Sequence, residues 1–197
     1  MKLNTPNKLT VVRMIIAPVF LAVMLWERLP HNHLAALIIF SAASITDAID
    51  GKLARKNNQI TNFGKLMDPI ADKMLTTAAL LGFMKMGLCN IWIVMIVLTR
   101  EFLIASIRMT AAASGVVIPA NFWGKLKTVT QMIFTIMIML LCEVYRYAPA
   151  VVGDFNIPSI LRLSNISNLL LWITAVLAVI SGVIYVTDSK KVIDYTK

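Results

Sequence analysis

The chain has 197 residues, 58% of them hydrophobic and only 15% charged, with a formal net charge of +9 and a mean hydropathy of +0.77. That composition excludes an ordinary soluble domain and predicts an all-α integral membrane protein: about 20 apolar residues make one spanning helix, so the 197 residues leave room for six with short connections. In so apolar a chain the positive charge points to anionic lipid or an anionic substrate rather than to nucleic acid.

Apolar runs over 11–29, 34–55, 61–83, 89–113, 126–147 and 166–187 predict six transmembrane helices in a single domain covering 1–197. The first run is long and lacks a small-residue cleavage site, so it reads as a retained span rather than a secretory signal. Before it, in "NTPNKLTVVR", Pro6 and the Asn and Thr residues suggest an interfacial turn, with Asn7, Thr10 and Arg13 as candidate cavity residues. The break "RLPHNHL" holds His31 and His33 with no third ligand nearby, which predicts a solvated loop. The later breaks "RKNNQITN", "KMGLCN", "SGVVIPANFWGK" and "RYAPAVVGDFNIPSILRLSN" carry the polar, Pro and Gly residues that punctuate spans. Basic residues collect at one set of span ends, including Lys52, Arg55, Lys56, Lys65, Lys125 and Lys127, whereas the opposite ends have only Arg28, Lys85, Arg146 and Arg162. By the positive-inside rule both termini are cytoplasmic. Cys89 and Cys142 are expected to be free buried thiols.

One stretch departs from the apolar pattern: "DAIDGKLARKNNQITNFGKLMDPIAD", residues 47–72, which carries four aspartates and four basic side chains. At 100° per residue Asp47, Asp50, Gly51 and Ala54 share a helical face, and Gly64, Asp68 and Asp72 repeat every four residues on the next helix. Two facing helices would gather four carboxylates at a seam kept open by Gly and Ala. An ionised residue at mid-bilayer costs about 2.5–3.5 kcal/mol, so the aspartates require a wet cavity, a counter-ion or both. Carboxylates with no soft ligand suit hard cations, Mg2+ or Mn2+, and two such ions make the usual clamp for displacement at phosphorus.

These residues resemble the signature of the CDP-alcohol phosphotransferases, D-x-x-D-G-x-x-A-R, a spacer, then G-x-x-x-D-x-x-x-D. The chain matches it at Asp47, Asp50, Gly51, Ala54, Arg55, Gly64, Asp68 and Asp72, with eight residues between Arg55 and Gly64 and no departure. The resemblance covers 26 residues, and it implies a six-helix fold in which an alcohol displaces CMP from a CDP-linked lipid at the cytoplasmic face of a bacterial membrane. It further implies that Asp47, Asp50, Asp68 and Asp72 hold two divalent cations and that Asp72 is also the base for the acceptor hydroxyl. Gly51, Ala54 and Gly64 would let the cytidine diphosphate lie against the backbone, with Arg55 near its charged or cytidine portion. A homodimer is the common family state.

The motif leaves the acceptor alcohol open. In "TREFLIASIR", Arg100, Glu101 and Arg108 sit inside a span, and "GKLKTVTQ" places Lys125, Lys127, Thr128 and Gln131 at a cytoplasmic helix start. Arg108, Lys125 and Lys127 are candidate ligands for an acceptor phosphate, while Arg100, Glu101, Thr128 and Gln131 are further cavity candidates. Arg100 and Glu101 also fit a structural ion pair, and the basic groups fit interfacial anchoring. The acceptor-side segments resemble the family branch that joins CDP-diacylglycerol to sn-glycerol 3-phosphate. Cardiolipin synthases of this type and inositol-phosphate transferases are the rivals within the family. A cation-coupled transporter is the rival outside it, though no matching halves occur.

Overall fold

A computed structural model describes residues 5–56, 62–113, 121–152 and 162–190. Every regular element among them is helical: α1 (Thr5–Leu25), α2 (Asn32–Lys56), α3 (Asn62–Lys85), α4 (Ile91–Ala113), α5 (Phe122–Val152) and α6 (Leu163–Lys190). The expectation of an interfacial turn around Pro6 is corrected, because helix α1 begins at Thr5. Proline in a first turn sacrifices only an N–H that has no intrahelical partner and supplies a φ suited to the helix.

The chain divides into two compact units, Met1–Phe83 with Ile136–Asn156, and Met84–Thr135 with Ile157–Lys197. In the first unit α1 buries Thr10, Arg13, Ala17, Phe20 and Met24, at alternating steps of three and four residues. This stripe meets α2, which buries Ala36, Phe40 and Ala43, and the rings of Phe20 and Phe40 lie 5.7 Å apart. Helix α3 approaches α1 at Gly82, where a Cβ would come within 3.0 Å of the Met24 sulfur.

The connection between α1 and α2 is locked by side chains from the end of α5. Asn32 donates to the Met24 carbonyl at 2.8 Å and caps the C-terminus of α1. Arg146 donates to the Asn32 side-chain oxygen and, at 2.7 Å, to the Glu27 carbonyl. His31 adopts φ 54°, an uncommon conformation outside glycine. Its N–H donates to the Tyr147 hydroxyl, its ring stacks on that of Tyr147, and its Nδ1 pairs with Glu143. His33 is only 8% exposed. The expectation of a solvated loop holds for the turn through His31, which stays exposed beside its α5 partners, and is corrected at His33, which lies in the first turn of α2 and is buried. Arg146→Ala removes two charge-assisted hydrogen bonds and is expected to destabilise the fold by about 2–3 kcal/mol, measured as a lowered unfolding temperature in detergent.

In the second unit α4 buries Ile93, Val97 and Ile104, and α6 buries Leu171, Ala175 and Ala178. The Ser167 hydroxyl donates to the Leu88 carbonyl at 2.8 Å, and the Asn90 N–H donates to the Asn168 side chain at 2.9 Å. Both cysteines are free and buried.

Two helical segments, Phe122–Tyr147 and Leu163–Ser189, are long and apolar enough to cross a membrane, and shorter apolar helices cover Thr10–Leu25 and Asn32–Thr46. Large aliphatics such as Ile15, Ile38, Met95, Ile133, Leu169 and Val183 stand exposed along the helices. Apolar exposure on this scale is a liability in water and is the expected state of a surface solvated by lipid.

Candidate active site

The eight motif positions fall on two neighbouring helices of the first unit. Helix α2 carries Asp47, Asp50, Gly51, Ala54 and Arg55, and α3 carries Gly64, Asp68 and Asp72. Their side chains, and that of Asn7, lie outside the described residues.

Among the described residues no group of three or more His, Cys, Asp or Glu is placed to hold a metal ion. The motif aspartates, expected to be the donor set, are not among those residues.

Beside the motif, α1 and α2 enclose a groove of about 350 Å3. Ile16 and Val19 of α1 and Ile39 and Ala42 of α2 line it, and Arg13 and Thr46 stand at one end. Thr46 directly precedes Asp47. Of the expected cavity residues on α1, Arg13 lines this groove, and Thr10 is buried one turn earlier.

The second unit brings Arg100, Glu101 and Lys127 together. The Glu101 Oε1 atom accepts from Arg100 Nη1 at 2.8 Å and from Lys127 Nζ at 2.7 Å. Lys127 is 2% exposed, a position where an ammonium ion is costly without a countercharge. Arg100 also donates through Nε to the Ser181 hydroxyl at 3.0 Å, and its stem passes 3.3 Å from where a Gly182 Cβ would sit.

The remaining acceptor-side candidates are placed separately. Arg108 donates through Nε to the Tyr185 hydroxyl at 3.1 Å, with its guanidinium carbon 5.4 Å from the ring centroid. Lys125 is exposed. Thr128 donates to the Gly124 carbonyl of its own helix. Gln131 is buried one turn beyond Lys127, and Thr135, a further turn on, is fully buried with no partner for its hydroxyl.

Sequence reasoning missed Asn121, Thr135, Ser181 and Tyr185. Asn121 caps α5, accepting from the Gly124 N–H at 2.8 Å, which explains why that helix begins before the expected span. Spacing signals polar positions at Thr135 and Ser181, though not their partners: Lys127, Gln131 and Thr135 recur every four residues, and Ser167, Thr174 and Ser181 every seven.

These elements define an all-helical protein with the apolar exposure expected of a membrane protein, an acidic two-helix motif and an ion-paired Arg100–Glu101–Lys127 trio. A family model for CDP-alcohol phosphatidyltransferases matches residues 3–180, and the chain belongs to that family. It is similar to the CDP-diacylglycerol--glycerol-3-phosphate 3-phosphatidyltransferase of Bacillus subtilis, with 37% identity over 190 residues covering 91% of each chain. The protein of that name from Rickettsia felis is 35% identical over 188 residues, covering 95% of this chain and 96% of its own. A probable phosphatidylglycerophosphate synthase of Mycobacterium tuberculosis is 41% identical over 130 residues, 65% of this chain and 62% of its own.

Proposed function

We propose that the protein transfers the phosphatidyl group of CDP-diacylglycerol to sn-glycerol 3-phosphate, forming phosphatidylglycerophosphate and CMP. It would do so as a six-span protein of the bacterial cytoplasmic membrane, working as a homodimer, with both termini and the active site facing the cytoplasm. The observation that carries this reading is the eight-position aspartate motif, complete in its spacing and carried on the consecutive helices α2 and α3. The relatives' names supply the acceptor.

In this reading Asp47, Asp50, Asp68 and Asp72 would hold two divalent cations, Mg2+ or Mn2+, whose charge would offset that of the pyrophosphate. Gly51, Ala54 and Gly64 leave room for the cytidine diphosphate, and Arg55 balances its charge. The acceptor hydroxyl forms a bond to the phosphorus that bears diacylglycerol, the bond from that phosphorus to the CMP oxygen breaks, and Asp72 takes the hydroxyl proton. Positioning and electrostatics supply most of the catalysis. Arg108, Lys125 and Lys127 bind the acceptor's phosphate.

The test is CMP release by purified protein with CDP-diacylglycerol and Mg2+, with glycerol 3-phosphate, inositol phosphate, serine and phosphatidylglycerol supplied separately. Release confined to glycerol 3-phosphate is expected. Release with another acceptor would keep the family chemistry and overturn the acceptor assignment.

A further inference from the structure

We infer that His33 makes the turn between α1 and α2 an acid-released latch: uptake of one proton at its ring below neutral pH loosens the hold of α5 on the turn. The latch is built within the first unit. Arg146 of α5 donates to the Asn32 side chain and to the Glu27 carbonyl, and Glu143, three residues earlier on α5, pairs through Oε1 with His31. Two polar atoms are left over inside these bonds. His33 Nδ1 and Glu143 Oε2 are both buried, and neither has a hydrogen-bond partner among the described residues. A neutral imidazole tolerates such a place, whereas an imidazolium there requires a countercharge.

The charged groups around His33 decide what that proton does. Glu143 and Arg146 act on it from α5, and the turn adds His31, with Glu27 and Arg28 exposed to solvent. The last two turns of α1 and residues 77–83 of α3 carry no titratable side chain. Glu143 is thus the carboxylate at hand, and one of its oxygens already serves His31. A proton on His33 would set a second cation near Arg146, at a residue only 8% exposed, and would draw Glu143 away from His31. Burial, opposed by Glu143 and aided by Arg146, holds the imidazole below its ordinary pKa. The unfolded chain therefore takes the proton more readily than the folded one, so the stability due to neutral His33 is complete above about pH 6.5 and is lost as the pH falls below it. The turn lies at the end of α2 remote from the motif. With both termini cytoplasmic, as proposed, it meets the pH outside the cell.

The chain has two histidines, so histidine-selective isotope labelling leaves two rings to follow by NMR in detergent, assigned with His31→Gln. The His33 ring is expected to titrate with a midpoint of about pH 6 or lower, below the ordinary histidine value of about 6.5. Glutamine keeps a neutral polar side chain at every pH. Between about pH 7.5 and about pH 5, where an ordinary histidine changes charge, the unfolding temperature of the wild type is therefore expected to fall by about 3 °C more than that of His33→Gln. The turn amides of Trp26 and Leu29, which donate to the Val23 and Trp26 carbonyls, are expected to exchange hydrogen faster in the wild type than in His33→Gln at the lower pH. A His33 midpoint at or above about 6.5, or equal falls in unfolding temperature for the two proteins, would overturn the inference and leave His33 a packing residue. The NMR midpoint decides the matter if His33→Gln does not fold. None of these readings uses turnover, so a failure of the proposed function would leave them unaffected.

Discussion

Asp72→Asn is expected to lower kcat at least 1000-fold while changing the affinity for CDP-diacylglycerol by no more than a few fold. Asparagine preserves the size of the side chain and one oxygen, but it cannot accept the acceptor's proton. Loss of a positioned general base accounts for about 100- to 10,000-fold, and loss of a carboxylate from the cation-binding set adds to it. The donor's diphosphate and cytidine would still meet the other motif residues on α2 and α3, so binding is largely spared. Steady-state CMP release and calorimetric donor binding separate the two effects. A variant retaining more than a tenth of the wild-type rate would remove Asp72 from the role of base.

The second large effect is expected at Lys127. Lys127→Met keeps much of the volume of the buried stem and deletes the ammonium that contacts Glu101. The expected result is a fall of about 100-fold in kcat/KM for glycerol 3-phosphate, about 2.7 kcal/mol of transition-state stabilisation, with KM for the lipid donor unchanged. Lys127→Arg is not expected to restore activity, because a planar fork does not replace a point charge in a closed site. The fold should survive, since Arg100 still holds Glu101, which softens the usual penalty for breaking a buried pair. A drop in thermal stability with unchanged kinetics for glycerol 3-phosphate would make Lys127 a structural ion-pair partner alone.

The helices were largely legible because hydrophobic runs and polar breaks are local signals. The expected span 89–113 nearly coincides with Ile91–Ala113, and 34–55 with Asn32–Lys56. The ends were less so: Asn121 starts α5 early by capping it, and Pro6 is accommodated within the first turn of α1. The motif was readable because its eight residues lie on two consecutive helices with fixed spacing. The contacts of Ser181 with Arg100 and of Tyr185 with Arg108 bridge 81 and 77 residues, and no periodicity within one helix announces them. A serine in an apolar span can equally bond its own backbone, as Ser181 also does with Ala178. His33 was misplaced for a different reason: the polar run around it ends at Asn32, where α2 already begins, so its side chain falls on a buried helical turn.

The most direct test of the account measures products and metal dependence together. Folded, purified protein would be freed of divalent cations with chelator, then supplied with CDP-diacylglycerol and glycerol 3-phosphate while Mg2+ is restored. The account predicts no turnover before restoration and, after it, CMP and phosphatidylglycerophosphate in equal amounts. Metal-independent turnover, or CMP formed without phosphatidylglycerophosphate, would contradict it.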